Sequence, residues 1–324
     1  MPVSRRGGAL LVVMWLAAAL SAIAFTLAGT VRTETERTST VLGGVRAYYL
    51  ATGAIDRAAL YMLWGRQFTM PDGSPRYYAP WMNALQFSFE SGEARVEIIP
   101  DTSKMNINTA PPEDLVQLLL ALGADPERAN LVSQAIVDWR APRVNGEPGP
   151  FDQYYLSLTP SFPSRHASFQ EVEELLLVRG VTPELFYGGF VRSPEGRLIR
   201  TGGLRDCVSV TGSSREFDVN TAHPAVLAAS GLDPGTVAAI VETRSRMPFR
   251  SQEDLNALGI PPGARRLRIG GNRIFTLRAT ARLRVSDKEF SDLRRSVAAT
   301  VKLEASPDGR PYRVLRWYDN VWVQ

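Results

Sequence analysis

The chain has 324 residues, long enough for a substantial core and for more than one folded unit. Hydrophobic residues make up 44% and charged residues 22%, which excludes a wholly disordered chain. The formal charge of +4 is spread without a long run of like charges, so it argues only weakly for nucleic acid, and the single cysteine, Cys207, excludes an intrachain disulfide.

The N-terminus reads Met1-Pro2-Val3-Ser4-Arg5-Arg6-Gly7-Gly8, and no charged residue follows from Ala9 to Val31. As a helix that stretch is about 34 Å long, enough to cross a bilayer core. Arg5 and Arg6 precede it, so the positive-inside rule places the N-terminus in the cytoplasm and the rest of the chain outside. Three readings stay open. Ala22-Ile23-Ala24 has the small residues of a secretory cleavage site. The stretch also suits an uncleaved anchor. The third reading is a prepilin-type leader, a short basic segment ending in Gly, cleaved between Gly8 and Ala9. Most pilin-like proteins carry Glu at the fifth mature position, where this chain has Val13. A carboxylate there pairs with a neighbouring subunit's N-terminal amine, because an unpaired ion in lipid is costly. A subunit without it suits the end of a filament.

From Thr33 to about Gly65, apolar and small residues recur at spacings of three and four, which predicts that the helix continues and packs by one stripe onto a sheet. Pro71-Asp72-Gly73-Ser74-Pro75 reads as a turn. Ala84 to Glu90 and Ala94 to Ile99 read as strands joined by Ser91-Gly92-Glu93.

A helical block follows and contains a repeat. Asn106-Ile107-Asn108-Thr109-Ala110 matches Asp218-Val219-Asn220-Thr221-Ala222, and each copy runs into prolines and an apolar helical pattern. Thr109 and Thr221 are the expected N-caps. Each copy ends in a Phe and an acidic helix, Phe169 to Leu175 and Phe249 to Leu255, with Gly180 and Gly259 as C-cap positions. The first copy alone carries a segment from Ala141 to Ser168, whose Pro and Gly content predicts a surface loop. The period then changes to two, with strands expected over Arg273 to Leu283, Ser291 to Leu303 and Tyr312 to Tyr318, the last two joined at Ser306-Pro307-Asp308-Gly309. The order predicts a sheet with helices inserted into it.

The basic Gly-Gly leader without the Glu, the doubled Asn-x-Asn-Thr-Ala module and Ala135-Ile136-Val137-Asp138-Trp139-Arg140 together resemble the K class of type II secretion minor pseudopilins, also called general secretion pathway protein K. The resemblance implies an α+β fold: a transmembrane helix continuing into a pilin-like helix-plus-antiparallel-sheet domain, with a large α-helical insertion of two helix-hairpin-helix or SAM-like modules. The corresponding division is a leader at 1–8, a transmembrane helix at 9–31 and a pilin-like helix with first strands at 32–100. The insertion takes 101–271, with modules at about 105–187 and 217–262, and the remaining strands take 272–324. The resemblance further implies prepilin-peptidase cleavage at Gly8 and Ala9 with methylation. It implies an inner-membrane site with the bulk of the chain periplasmic. The implied place is the pseudopilus tip, initiating or capping the filament that exports folded proteins across the outer membrane. Expected partners are the I and J minor pseudopilins, the major pseudopilin, the prepilin peptidase and the inner-membrane assembly platform.

Some family members look to carry calcium near this insertion, where acidic residues follow the Asp-Trp-Arg segment. Here Ala141-Pro142-Arg143 follows instead, leaving Asp138, Asn145, Glu147 and Asp152 as candidate oxygen ligands, with Asp138 and Asp152 foremost. The same residues also suit local capping and a solvated loop, so no cofactor is required.

Nucleic-acid binding is the rival, since the modules are also similar to helix-hairpin-helix units of membrane-anchored competence DNA receptors. Against it, the hairpins read Leu122-Gly123-Ala124-Asp125 and Ser230-Gly231-Leu232-Asp233, with an acidic residue where phosphate would approach. In its favour stands the basic cluster Arg265, Arg266, Arg268 and Arg273. An enzyme is not expected. The two histidines, His166 and His223, are far apart in sequence and fall in no recognisable catalytic motif; His166 is expected to be exposed in its loop. Cys207 follows Asp206, which disfavours a thiolate. Trp317, Tyr318 and Trp322 suit half-buried strand positions or a partner surface.

Overall fold

The computed structural model describes residues 6–324 apart from 66, 144–145, 194–195, 214, 261–265, 287–288, 305–308, 310 and 322–324. Met1 to Arg5 of the expected leader, Asn145, Arg265, Trp322 and most of the expected 306–309 turn therefore lie outside the described residues.

Helix α1 runs unbroken over Arg6–Trp64, 59 residues and about 88 Å. Its glycines do not interrupt it. Gly43 has a packing reason, because a Cβ there would lie 3.3 Å from the Leu293 side chain. The helix has two lives. Its first part is apolar and exposed, and the helix is long and apolar enough to cross a membrane. Its second part turns Ala47, Ala51, Ala54, Ile55, Ala58 and Met62 inward at helical spacing.

That stripe packs on a five-stranded antiparallel sheet in the order β1-β2-β9-β10-β11, formed by Ala84–Phe89, Gly92–Pro100, Ile274–Ser286, Glu289–Lys302 and Arg313–Tyr318. Side chains alternate along β9, so Phe275, Leu277, Ala279 and Ala281 face the helix. Alanines on both surfaces let helix and sheet approach closely. On the outer face Arg278 pairs with Glu97 across strands, and Arg282 pairs with Glu93 at 2.5 Å. The β1–β2 connection is tighter than expected. β2 already begins at Gly92, where a Cβ would lie 2.3 Å from the Arg282 carbonyl oxygen, so no larger residue fits that register.

Between β2 and β9 the chain leaves the sheet and builds a second core. In chain order it forms β3 (Met105–Asn106), α2 (Pro112–Ala121), α3 (Pro126–Arg140), α4 (Asp152–Leu156) and a 3-10 turn over Val172–Leu177. Then come α5 (Pro183–Tyr187), the hairpin β4 (Phe190–Arg192) and β5 (Leu198–Arg200), α6 (Leu204–Cys207) and β6 (Val208–Ser209). The second copy follows as β7 (Phe217–Asp218), α7 (Pro224–Ala229), α8 (Pro234–Arg246), α9 (Gln252–Ala257) and β8 (Leu267–Arg268). The copies share one apolar cluster, and α2 packs against α7.

The expected caps need correction. α2 is preceded by Pro111 and α7 by His223, whose Nδ1 accepts from the Ala225 N–H. Thr221 is not free to cap, because its hydroxyl donates back to Asp218. The acidic segment of the first copy is 3-10 rather than α-helical. The segment from Ala141 to Ser168 is not a plain surface loop either. Phe151 and Tyr155 are buried, and Tyr155 meets the Trp139 ring edge-on at 5.3 Å. The loop returns over the Trp139 indole at the end of α3 and buries it.

Candidate functional site

The polar centre of the molecule lies where that loop returns to α3. Asp138 sits one residue before Trp139 near the end of α3, and Asp152 opens α4. His166 comes back to them from the far end of the loop. It adopts φ 49°, the one positive value among the described residues other than glycine. The expectation that His166 is exposed is therefore overturned: its side chain is 7% exposed. Tyr155 and Phe169 pack on Trp139, the residue after Asp138, and His166 meets Asp152 with its backbone in the left-handed region.

The three side chains offer ligand atoms that all lie within 4.8 Å of one another. His166 Nε2 is 2.8 Å from Asp152 Oδ1 and 2.8 Å from Ser164 Oγ. Its Nδ1 lies 3.1 Å from the Ala141 carbonyl oxygen, to which only a protonated Nδ1 can bond. Asp152 is held from several sides. The Ser164 hydroxyl donates to Oδ1, the Gly149 N–H donates to Oδ2 at 3.1 Å, and Arg143 donates to Oδ2 at 3.2 Å. Burial raises the Asp152 carboxyl, but the bonds from Ser164, His166 and Gly149 outweigh it and hold the group below its ordinary value. Asp138 is the opposite case. Burial pushes its carboxyl up, His166 pulls it down, and Asp152 adds to the rise. Its Oδ2 is buried without a hydrogen-bond partner among the described residues. Gly149 completes the corner, since a Cβ there would lie 2.5 Å from Asp138 Oδ1 and 2.7 Å from His166 Cε1.

The remaining expected site residues lie elsewhere. Gly8, Ala9 and Val13 are in the exposed first part of α1, where Val13 is 65% exposed. Glu147 is exposed in the loop and away from the cluster.

Residues 88–187 match the family model described as type II secretion system, protein K. The stretch from β1 to the end of α5 is thus similar to a type II secretion protein K domain. Two relatives bear the same description. The protein of Pseudomonas aeruginosa is 28% identical over 237 residues, which cover 68% of this chain and 63% of that protein. The protein of Klebsiella pneumoniae is 26% identical over 201 residues, covering 56% of this chain and 60% of that protein. The matches thus span less than two thirds of either relative. Among solved structures the chain is similar to one from the GspK-GspI-GspJ complex of the enterotoxigenic Escherichia coli type 2 secretion system. The TM-score is 0.52 at 16% identity, covering 90% of this chain and 99% of that one. At that identity the likeness is one of fold. The resemblance to protein K is thereby supported by the sequence matches, and the α+β fold of a long N-terminal helix on an antiparallel sheet by the structural likeness.

Asp138, Asp152, Ser164 and His166 all lie inside the stretch that matches the protein K family. The donors there do not fit calcium. A hard cation takes six to eight oxygens, whereas this corner presents a ring nitrogen and two carboxylates, one of them already accepting four protein donors.

The nucleic-acid reading fails on geometry. Asp125 and Asp233, at the two hairpins, cap α3 and α8 by accepting from the Arg128 and Thr236 N–H groups. Carboxylates therefore occupy the helix N-termini that phosphate would need. The described arginines of the basic cluster are each paired with an acid, Arg266 bidentate on Asp114 at 3.0 and 2.6 Å, Arg268 on Glu216 and Arg273 on Glu304. Cys207 is buried, and burial together with neighbouring Asp206 pushes its thiol up to about 12, which makes it an inert core residue.

Proposed function

We propose that the chain is a minor pseudopilin of the K class, working at the tip of the type II secretion pseudopilus to start or cap that filament. The carrying observation is the combination of a long apolar helix on a pilin-like sheet with a helical unit inserted between β2 and β9. Leu10, Leu11, Trp15 and Phe25 on α1 are all more than 60% exposed. Surfaces of that kind need lipid or neighbouring helices. The inserted unit is too bulky to stack beneath a further subunit, which favours the end position. The role is mechanical, with no reaction assigned to the chain.

In this reading the helix lies in the inner membrane with its N-terminus cytoplasmic and the bulk periplasmic, and a prepilin peptidase cleaves between Gly8 and Ala9. The relative of similar fold was solved in complex with GspI and GspJ, so the I and J minor pseudopilins are the proposed partners. The decisive experiment is mass spectrometry of the mature N-terminus, in a host with and without the peptidase. A methylated peptide starting at Ala9 and dependent on the peptidase supports the reading. A start after Ala24, or an intact N-terminus, sinks it. Val13→Glu tests the end position: if the reading holds, the variant enters the filament shaft, and unchanged assembly order counts against the electrostatic argument.

A further inference from the structure

The repeat supplies a control for the excursion between Gly180 and β6. Each copy closes by pairing its first short strand in parallel with its last, β3 with β6 and β7 with β8. The second copy goes from α9 to β8 with no further helix or strand among the described residues. The first adds α5, the β4–β5 hairpin and α6 on the way to β6. Closing a copy therefore does not require the hairpin.

The hairpin is held out from the body and buries neither face. All six strand residues are exposed, and Phe190, Val191, Leu198 and Ile199 are each more than half exposed. A two-stranded ribbon of this kind is marginal by itself, and its base is pinned. A Cβ on Gly188, at φ 79°, would lie 2.0 Å from the Thr201 carbonyl oxygen, and one on Gly203 would lie 2.3 Å from the Gly188 nitrogen. Arg200 donates to Asp206 at 3.1 Å and to the Tyr187 carbonyl at 3.3 Å. No third strand joins either edge among the described residues. The Thr201 and Ser193 N–H groups donate to the Gly189 and Arg197 carbonyls, both at 2.8 Å. The alternation of an antiparallel pair then turns the backbone groups of Phe190 and Arg192 outward along β4. Phe190, Arg192, Leu198 and Arg200 share one face, and Val191 and Ile199 share the other. Arg192 and Arg197 have no acidic partner among the described residues, whereas Arg200 has Asp206.

We propose that the outer edge of β4 takes up an extended segment of another protein as an added strand, one in which acidic and aliphatic side chains alternate. An added strand continues both faces of the ribbon. Its acidic side chains fall on the face of Arg192, and its aliphatic ones extend the face of Val191 and Ile199. The outward N–H and C=O groups of Phe190 and Arg192 supply the main-chain bonds. β4 is the edge chosen, because Arg200 on β5 is already held by Asp206. A lipid surface covers only one face of such a ribbon, and the hairpin of a second copy brings like charges together. This inference does not depend on the place of the chain in a filament.

The test is fluorescence anisotropy of the full chain in phosphatidylcholine nanodiscs, titrated against a labelled peptide of alternating glutamate and valine. The alternating peptide binds saturably, and a peptide of the same composition with its glutamates in one block does not. Arg192→Glu weakens binding about tenfold or more, Arg192→Lys restores part of it, and the thermal midpoint stays unchanged in both. The register adds a sharper readout. Acidic residues opposite Phe190 and Arg192 direct their N–H groups at the hairpin, so methylating the glutamate nitrogens abolishes binding and methylating the valine nitrogens does not. The proposal is overturned if no saturable binding appears up to about 1 mM, if the block peptide binds equally, or if both methylated peptides behave alike. It is also overturned if Arg192→Glu leaves peptide binding intact and instead releases the chain from phosphatidylglycerol vesicles or from a second copy.

Discussion

Asn108 grips the backbone of Phe169 with both ends of its amide, donating from Nδ2 to the carbonyl at 3.0 Å and accepting from the N–H at 2.7 Å. Asn220 does the same to Phe249, at 2.9 Å in both directions. The clamp therefore joins the opening of each copy to its end. Asn108→Ala removes both bonds and leaves a partly buried peptide unsatisfied, an expected loss of about 2–4 kcal/mol. Asn220→Ala costs a similar amount. The thermal midpoint followed by tryptophan fluorescence reads both, and a change within about 0.5 kcal/mol at either position would dismiss the clamp.

A second repeated device closes each copy from the other side. Arg140 donates to the carbonyls of Ile107 at 2.5 Å and Ala110 at 2.6 Å, and Arg244 donates to Val219 at 2.9 Å and Ala222 at 2.7 Å. The forked guanidinium spans both carbonyls, which an ammonium on a single stem cannot reproduce. Arg140→Lys should lose about 1.5–3 kcal/mol, and Arg244→Lys should follow it. Hydrogen exchange at Ala110 and Ala222 should rise locally in each variant. Equal stability of Lys and Arg would show that charge alone matters.

Asp218 stands where the first copy has Asn106. It is buried, accepts from the Thr221 hydroxyl and the Gly270 N–H, and its carboxyl is pushed up by burial against those bonds. The folded protein thus holds this proton more tightly than the unfolded chain. Its contribution is full below the unfolded value near ~3.9 and declines as pH rises towards the raised folded value. Asp218→Asn removes that decline. The stability difference should move in the variant's favour between pH 4 and neutrality, as measured by denaturant unfolding at several pH values. A difference independent of pH would refute the assignment.

Ala54 lies fully buried where α1 meets the sheet. Ala54→Leu adds three carbons between surfaces already lined with alanine, and overpacking should cost about 1–3 kcal/mol. Val41→Ala, on the exposed part of the same helix, should leave the midpoint unchanged. A tolerated Leu at 54 would mean that the helix can ride higher on the sheet.

Much of this is legible in the sequence. α1 and the strands show plain periods, and the repeat is visible because its hydrogen-bonding residues recur as a short string. The helix starts were displaced because Thr221 spends its hydroxyl on Asp218 and His223 takes the cap, a competition that spacing does not reveal. Asp138 and Asp152 could be singled out from the sequence near Asp-Trp-Arg. His166 could not, since it arrives through a left-handed turn at the other end of a long loop. Its only signal was the rarity of histidine in this chain. The arginines after the second copy looked like a patch because their acidic partners, such as Asp114, lie far off in sequence.

The two ends of the inserted unit lie side by side: Pro100 is paired with Phe275, and the Thr102 hydroxyl donates to the Gly270 carbonyl at 3.3 Å. The central strands β2 and β9 are therefore joined by a connection whose length sets an entropic barrier to their meeting. A folded insert shortens that connection to the gap between its own termini. Synthesis delivers β2 early and β9 late, so the whole insert has been made before β9 can join β2. The helical unit thus acts as a clasp that brings together the two halves of a sheet to which it contributes no strand.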